Sequence, residues 1–253
     1  MNRTAPAPES FNLRDQIVGL DRLIPLLDGR HVPYVNLDNA ASTPALQPVL
    51  DAVNQFMPYY ASVHRGTGFK SRLSTVAYDQ AHEIIGHFVG ADLATNTVIF
   101  GKNSTEALNK LSYRFPFTPD SVVITTQLEH HSNDLPWRQH ANVRHVRALA
   151  DGRFDEDHFD QLLRENAGRV ALVAVTGASN VSGFLQPIHR LARKAHAAGA
   201  MILVDAAQLA PHAPLDLAAL DVDWIAFSGH KLYAPYGAGV LAGRRDWLDK
   251  AAP

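Results

Sequence analysis

Short apolar runs rich in β-branched residues alternate along this chain with longer segments of helical periodicity. The apolar runs predict strands at residues 34–37, 97–100, 121–125, 144–149, 170–175, 201–205, 223–228 and 239–242. The helical patterns lie at residues 74–89, 104–111, 155–165 and 188–198. Two runs, residues 171–175 and 201–204, are apolar throughout, as strands covered on both faces tend to be. The alternation therefore predicts an α/β fold with a mainly parallel sheet covered by helices on both faces.

The domain organisation follows from the distribution of these elements. Beyond the first 30 residues no stretch of the sequence has the composition of a linker. We therefore expect an N-terminal arm at residues 1–30 and one large domain at residues 31–253. Apolar residues between positions 11 and 27 of the arm need a surface to cover, which lies either on the same domain or on a neighbouring molecule.

Charge and cysteine content exclude several classes of protein. Lys plus Arg number 23 and Asp plus Glu number 25, so nothing indicates binding to nucleic acid or to an anionic membrane surface. No secretory signal and no apolar stretch long enough to span a bilayer is present, which predicts a cytoplasmic protein. With no cysteine, a disulfide scaffold, a cysteine-ligated metal and a thiolate nucleophile are excluded within this chain. His82 and His87 are five positions apart and would point about 140° apart on a helix, so no catalytic metal is expected.

Ligands of parallel sheets bind beyond the carboxyl ends of the strands, and two charged residues occupy such positions here. Lys231 follows the apolar run 224–227 beside His230. A lysine in that setting can serve as an amine nucleophile that forms Schiff bases, although a surface loop lysine gives the same pattern. Asp205 closes the run 201–204, where a carboxylate either needs a cationic partner such as a protonated pyridine nitrogen or caps a following helix.

Three further strand ends carry polar groups. Residues 100–105 run from a strand through glycine to Ser104 and Thr105 at a helix start, which suits a phosphate but also fits simple N-capping. His130, in the segment 129–133, is able to stack its imidazole on a flat ring. Asn180 lies in a polar loop that offers amide and hydroxyl groups to a ligand.

Taken in chain order, these segments resemble the class V aminotransferases, fold-type I enzymes that use pyridoxal 5′-phosphate, and most closely the cysteine desulfurases and selenocysteine lyases among them. The resemblance rests on residues 37–44, 63–66, 103–107, 129–133, 179–181, 204–208 and 228–231. It implies the large domain of that fold. The family's small C-terminal domain is absent from these 253 residues, so the sequence looks truncated.

The resemblance also implies roles for single residues. Lys231 would bind the cofactor as a Schiff base and move protons at the substrate's α-carbon, with His130 stacked on the cofactor ring as a second catalytic residue. Asp205 would pair with the pyridine nitrogen and Gln208 would hydrogen-bond the phenolic oxygen. The phosphate would be held by Ser104, Thr105, Ser228 and His230.

The expected substrate is a small amino acid, and such enzymes are homodimers. Asn180 would lie near the substrate carboxylate or the phenolic oxygen, and Asn39, His64 and Arg65 would line the substrate mouth. A desulfurase also passes sulfur to a cysteine, which this sequence does not contain. The alternative is therefore a truncated module that binds the cofactor without turnover, or a fragment that acts only with a partner.

Overall fold

The computed structural model describes residues 12–248, which contain nine strands and six α-helices. The strands are β1 (Leu23–Pro25), β2 (His31–Pro33), β3 (Asn96–Gly101), β4 (Val122–Thr126), β5 (Asn142–Val146), β6 (Val170–Thr176), β7 (Met201–Asp205), β8 (Trp224–Ser228) and β9 (Gly239–Arg244). The helices are α1 (Gln47–Phe56), α2 (Phe69–Phe88), α3 (Ser104–Arg114), α4 (Glu156–Glu165), α5 (Ile188–Ala197) and α6 (Leu217–Leu220).

Seven of the strands form one sheet in the order β3-β9-β8-β7-β6-β4-β5. The five strands from β8 to β5 pair in parallel. Strand β9 is antiparallel to both of its neighbours, β3 and β8. Six strands therefore run in one direction and one runs against them, which confirms the predicted, mainly parallel sheet.

Helices cover both faces of this sheet, as the sequence predicts. Alternate side chains of β6 enter two separate apolar cores: Val173 and Val175 lie in one, Leu172 and Ala174 in the other. Helices α4 and α5 pack into the first core, and α3 packs into the second. This division follows from the two-residue period of a strand, since successive side chains point to opposite faces.

The predicted strand at residues 34–37 is wrong. These residues form no strand, and Tyr34, Val35 and Leu37 are all exposed. The pairing occurs just before them, where β2 and β1 form a separate antiparallel hairpin. A β-branched run becomes a strand only where a partner strand satisfies its backbone, and the pairing with β1 ends here with one long bond from Tyr34 N to Arg22 O (3.4 Å).

Several element boundaries also differ from the prediction. Strand β5 begins two residues earlier and ends three residues earlier than expected, and α2 begins at Phe69 instead of residue 74. Helix α1 was not predicted: its N-cap, Leu46, makes no side-chain capping bond, which leaves a proline in the first turn to mark its start. Helix α2 has 20 residues, yet no helix within residues 12–248 is long and apolar enough to cross a membrane.

The proposed domain boundary after residue 30 falls inside the hairpin of β1 and β2. The turn between the two strands is closed by a hydrogen bond from Leu26 N to Arg30 O (2.7 Å), with Gly29 at a φ of 83°. The described end of the predicted arm is thus paired with the first residues of the predicted large domain. Residues 1–11 of the arm and the last five residues of the chain lie outside the described residues.

Candidate active site

A cavity of about 470 Å³ lies where the parallel strands reach their carboxyl ends. Its walls include the last residues of three neighbouring strands, Thr176 of β6, Asp205 of β7 and Ser228 of β8. All nine residues predicted to contact a cofactor line it, namely Ser104, Thr105, His130, Asn180, Asp205, Gln208, Ser228, His230 and Lys231. The fold therefore gathers nine residues spread over more than half of the sequence into one space.

Asp205 is the buried acid of this cavity, with 4% of its surface exposed. Its Oδ1 accepts a hydrogen bond from Ala207 N at 3.0 Å. Burial raises the pKa of the Asp205 carboxyl above its ordinary value, while the hydrogen bond from Ala207 and the neighbouring His130 and Lys231 side chains act in the opposite direction. A buried carboxylate of this kind is stabilised further by any cation that enters the cavity.

Lys231 faces the same space from the loop after β8, at the end of the 3₁₀ helix Gly229–Lys231. Its Nζ donates a hydrogen bond to Ala40 O at 3.0 Å, and Gln208 Nε2 donates to the same carbonyl at 2.8 Å. Partial burial lowers the pKa of the Lys231 amine, although Asp205 and Asp38 both oppose this shift. A lowered pKa increases the fraction of free amine, which is the nucleophilic form.

The segment that supplies Ala40 also fixes the Lys231 loop. Thr43 donates from both its backbone N (2.9 Å) and its Oγ1 (3.0 Å) to His230 O. In return, Tyr233 N donates to Thr43 Oγ1 at 2.8 Å. Sequence reasoning missed these contacts, even though the segment 37–44 carried part of the resemblance, because backbone acceptors leave no signature in side-chain type.

The start of α3 forms the hydroxyl-rich end of the cavity. Ser228 Oγ accepts a hydrogen bond from Ser104 N (2.7 Å) and donates one to Ser104 Oγ (3.0 Å), so β8 is joined to the helix start. Strand β9 approaches so closely that a Cβ at Gly239 would lie 2.4 Å from backbone atoms of Asn103. A helix N-terminus with two hydroxyl residues in its first turn favours an anion.

His230 and Thr105 complete that end. Burial, and after it the charge of Lys231, lowers the pKa of His230 below its ordinary value, which keeps its ring neutral near pH 7. A neutral imidazole still offers one N–H donor to an anion. Thr105 Oγ1 lies 2.7 Å from Ser132 Oγ, which connects the helix start to the loop that carries His130.

The ring of His130 is oriented by its own loop. Ser132 N donates to His130 Nδ1 at 3.2 Å, and Ser132 Oγ lies 2.9 Å from the same nitrogen. Since a backbone N–H only donates, Nδ1 is the acceptor, and the neutral ring carries its proton on Nε2. Ser132, Thr176 and Ala40 are cavity residues that the sequence did not single out.

The three residues predicted at the substrate mouth do not line the cavity. His64 Nε2 lies 3.0 Å from Asp79 Oδ1, and Arg65 is exposed beside it. Asn39 accepts a hydrogen bond on Oδ1 from Asn36 Nδ2 at 2.9 Å, although its chain neighbours do line the cavity. Their contact with a substrate remains a prediction.

Comparison with known proteins identifies the family of this chain. The family described as Aminotransferase class-V matches residues 35–253, and the chain belongs to it. A cysteine desulfurase of Haloferax volcanii is 38% identical over 96% of the chain, and one of Dickeya dadantii is 40% identical over 87% of it. The apo structure of a cysteine desulfurase from Thermococcus onnurineus superposes with a TM-score of 0.82 at 29% identity over 99% of the chain. The cysteine desulfurase CsdA of Escherichia coli superposes with a TM-score of 0.73 at 33% identity over 86% of the chain.

The matches extend over only part of each relative. The chain spans 59% of the Haloferax protein and 55% of the Dickeya protein. It covers 60% and 56% of the Thermococcus and Escherichia chains. Its sheet and helices therefore correspond to a little more than half of a cysteine desulfurase.

Proposed function

We propose that this chain binds pyridoxal 5′-phosphate and acts with it on an amino acid, in the manner of a cysteine desulfurase. The observation that carries the proposal is the meeting of Asp205, Lys231 and the start of α3 in one cavity. When bound, the cofactor supplies an aldehyde for an amine and an electron-poor ring that accepts negative charge from the substrate's α-carbon. The residues of the chain bind it, orient it and move protons.

The cavity offers one matching group for each reactive end of the cofactor. Asp205 is a buried carboxylate suited to a protonated ring nitrogen. The N-terminus of α3, with Ser104 and Thr105, suits a phosphate. Lys231 brings an amine of lowered pKa to the same space. Acid, amine and anion site thus fit the three ends of the cofactor, and each comes from a different strand end.

Lys231 carries the proposed chemistry. Its Nζ is held by Ala40 O at 3.0 Å, so that bond must break when the amine reacts with an aldehyde. As a free amine, Lys231 would take a proton from the substrate's α-carbon and return one later. His130 would cover one face of the ring, and Gln208, which donates to the same carbonyl here, would hold the phenolic oxygen.

An amino acid is the proposed substrate, because a bound aldehyde cofactor would take up the substrate through its amine. The relatives are named cysteine desulfurases, which makes cysteine the first candidate. The 253 residues include no cysteine, so a thiol that accepts sulfur lies outside them. We further expect a cytoplasmic homodimer, as the resemblance implies.

A titration with pyridoxal 5′-phosphate tests the proposal. The protein is expected to bind it and to gain visible absorbance at about 400–430 nm, a band set by the cofactor's own chemistry. Asp205→Asn weakens binding about tenfold or more, since the charged partner of the ring nitrogen is lost. Asp160→Asn is the matched control, because Asp160 pairs with Lys194 on the helical surface, away from the cavity. A wild-type protein that takes up no cofactor would overturn the proposal.

A non-catalytic cofactor-binding module is the second candidate. It rests on the 253 residues containing no cysteine that could accept sulfur. With cofactor bound, the protein is incubated with cysteine, and alanine and sulfide are measured. Binding without turnover would support the module. Turnover that appears only when a cysteine-bearing C-terminal half of a relative is added would support a fragment that needs a partner.

A further inference from the structure

Glu129 precedes His130 in the chain, and its carboxyl accepts hydrogen bonds from three segments. Oε1 accepts from Thr126 Oγ1 at 2.6 Å and from Thr176 N at 2.9 Å. Oε2 accepts from Asn133 Nδ2 at 2.6 Å. Glu129 does not itself line the cavity.

One side of the carboxyl closes the loop that carries His130. The bond from Asn133 joins the two ends of the segment 129–133, with His130 between them. Asn133 is fully buried, and its backbone N donates to His130 O at 2.8 Å. Its own carbonyl accepts from Trp137 Nε1 at 2.7 Å. The base of the loop is therefore fixed on both sides of His130.

The other side of the carboxyl joins the loop to the sheet. Thr126 is the last residue of β4 and Thr176 is the last residue of β6. In the register of β6 and β7, Thr176 faces Asp205. Glu129 is thus bonded to the strand that lies beside the buried acid of the cavity.

The electrostatics agree with this position. Although Glu129 as a residue keeps some exposure, its carboxyl is densely surrounded, and this desolvation raises its pKa to about 8. The negative charge of Asp205 adds to the rise, and the three hydrogen bonds oppose it. On its outer side Glu129 lines a depression together with His131, Asp134, Arg138 and His145. Keeping a carboxyl here is costly, which is typical of a group with a specific task.

We propose that Glu129 is a positioning residue that fixes the His130 ring relative to Asp205. His130 and Asp205 would then meet the same cofactor ring, one at its face and the other at its nitrogen. The identity of that ring rests on the proposed function. The placement of His130 is a property of the chain itself and is testable without any cofactor.

Glu129→Gln, tested above pH 8 where the carboxyl is ionised, is the variant that removes the acceptor with the least change in shape. The new amide Nε2 faces Asn133 Nδ2, so two donors oppose each other and the loop loses its closing bond. In the double variant E129Q/N133D the donor and acceptor are exchanged and the bond is restored. Asn166→Ala is the control for lost stability alone, because Asn166 is buried and bonds Leu162 O away from the cavity.

The first measurement is ¹⁵N NMR of the histidine rings in the cofactor-free protein, with His130→Gln used to assign the signal. E129Q is expected to shift the His130 Nδ1 resonance, while E129Q/N133D and N166A keep it. The second measurement is affinity for pyridoxal 5′-phosphate, with circular dichroism of its visible band. E129Q is expected to bind about tenfold more weakly and to lose much of the visible dichroism, and the double variant to regain both.

An E129Q protein with an unchanged His130 signal and cofactor affinity within about twofold would overturn the proposal. So would a double variant as impaired as E129Q, since the closing bond would then not be the cause. If N166A weakens cofactor binding as much as E129Q does, the loss of affinity comes from general destabilisation and the proposal fails. A wild-type protein that binds no cofactor, with a His130 signal that still responds to E129Q, would overturn the proposed function and leave the positioning role supported.

Discussion

The sheet and the N-terminal segment before it, residues 12–88, use their apolar side chains in opposite ways. Helix α5 buries four of its ten residues against the sheet, all of them apolar. Helix α1, also of ten residues, buries none, and α2 buries three small residues out of twenty. Every residue of β4 and β8 is buried, whereas Leu37 is 91% exposed and Phe69 is 73% exposed.

This difference shows that much of the apolar surface of the N-terminal segment is uncovered, although the segment is held to the rest of the chain at several points. Ala40 and Thr43 bind it to the Lys231 loop through hydrogen bonds. Helix α2 adds ring contacts with the sheet, Phe88 with Phe227 of β8 and Tyr78 with Phe100 of β3, whereas Leu37 and Phe69 stay exposed. The segment thus completes the cavity, and its outward surface is available to a second molecule, in agreement with the proposed homodimer.

The largest effect is expected at the cavity, from Lys231→Ala. This variant removes the amine that would bond covalently to the cofactor. Reduction of the loaded protein with borohydride, followed by mass spectrometry, is expected to show a mass gain in the wild type and none in the variant. Lys70→Ala, which removes an exposed lysine of α2, is expected to keep the mass gain. Equal labelling of the Lys231→Ala protein would contradict the site.

A pair of leucines tests the contrast between the two regions directly. Leu203 of β7 is fully buried, so Leu203→Ala is expected to lower the free energy of unfolding by about 2–5 kcal/mol. Leu37→Ala removes an exposed side chain and is expected to change it by less than about 0.5 kcal/mol. Denaturant unfolding measures both at low protein concentration. A loss at Leu37 as large as that at Leu203 would mean that the segment is covered in solution.

The raised pKa of Glu129 predicts a pH dependence of stability. Between its ordinary pKa of 4.5 and about 8, the folded protein holds a proton that the unfolded chain has released. The contribution of this group is therefore complete below 4.5 and is lost as the pH rises through about 8. The slope is at most about −1.4 kcal/mol per pH unit. The contribution of Glu129 is isolated by subtracting the unfolding free energy of E129Q from that of the wild type at each pH. A difference that does not change with pH would contradict the raised pKa.

The smallest effect is expected in the hairpin of β1 and β2. Asp28 accepts hydrogen bonds from Arg30 N and Nε, which lower the pKa of its carboxyl, but both side chains are exposed. Solvent screens such a pair, so Asp28→Asn is expected to leave the melting temperature unchanged. A clear drop would show that this hairpin is packed against something in solution.

Much of the fold was predictable because its strongest signals are local. The apolar runs that became β6 and β7 are long and bounded by polar residues, and each ends in a cavity residue. The run at residues 34–37 has similar composition but no partner strand, and strand pairing is a property of two segments. Likewise α1 starts without a capping side chain, so only a proline in its first turn marks its beginning.

For the candidate site, the sequence predicted the chemistry of the side chains but not the backbone contacts. The nine predicted cofactor residues meet in one cavity because each follows a strand end, a position that apolar runs reveal. The Ala40 carbonyl was not foreseen, since every residue has a carbonyl and only the fold aims this one at Lys231. His64 and Arg65 were placed at the mouth by resemblance alone, and the fold leaves them outside the cavity lining.

The sequence by itself determined the α/β class, the mainly parallel sheet and the chemical character of the residues at its strand ends, since each depends on patterns within a few neighbouring residues. Only the tertiary structure decided that Glu129 bonds both Asn133 and Thr176. Thr176 is more than ten times as far from Glu129 along the sequence as Asn133 is, yet both lie within hydrogen-bond distance of its carboxyl. It also decided which apolar side chains are buried, since burial depends on the surfaces that the rest of the chain provides.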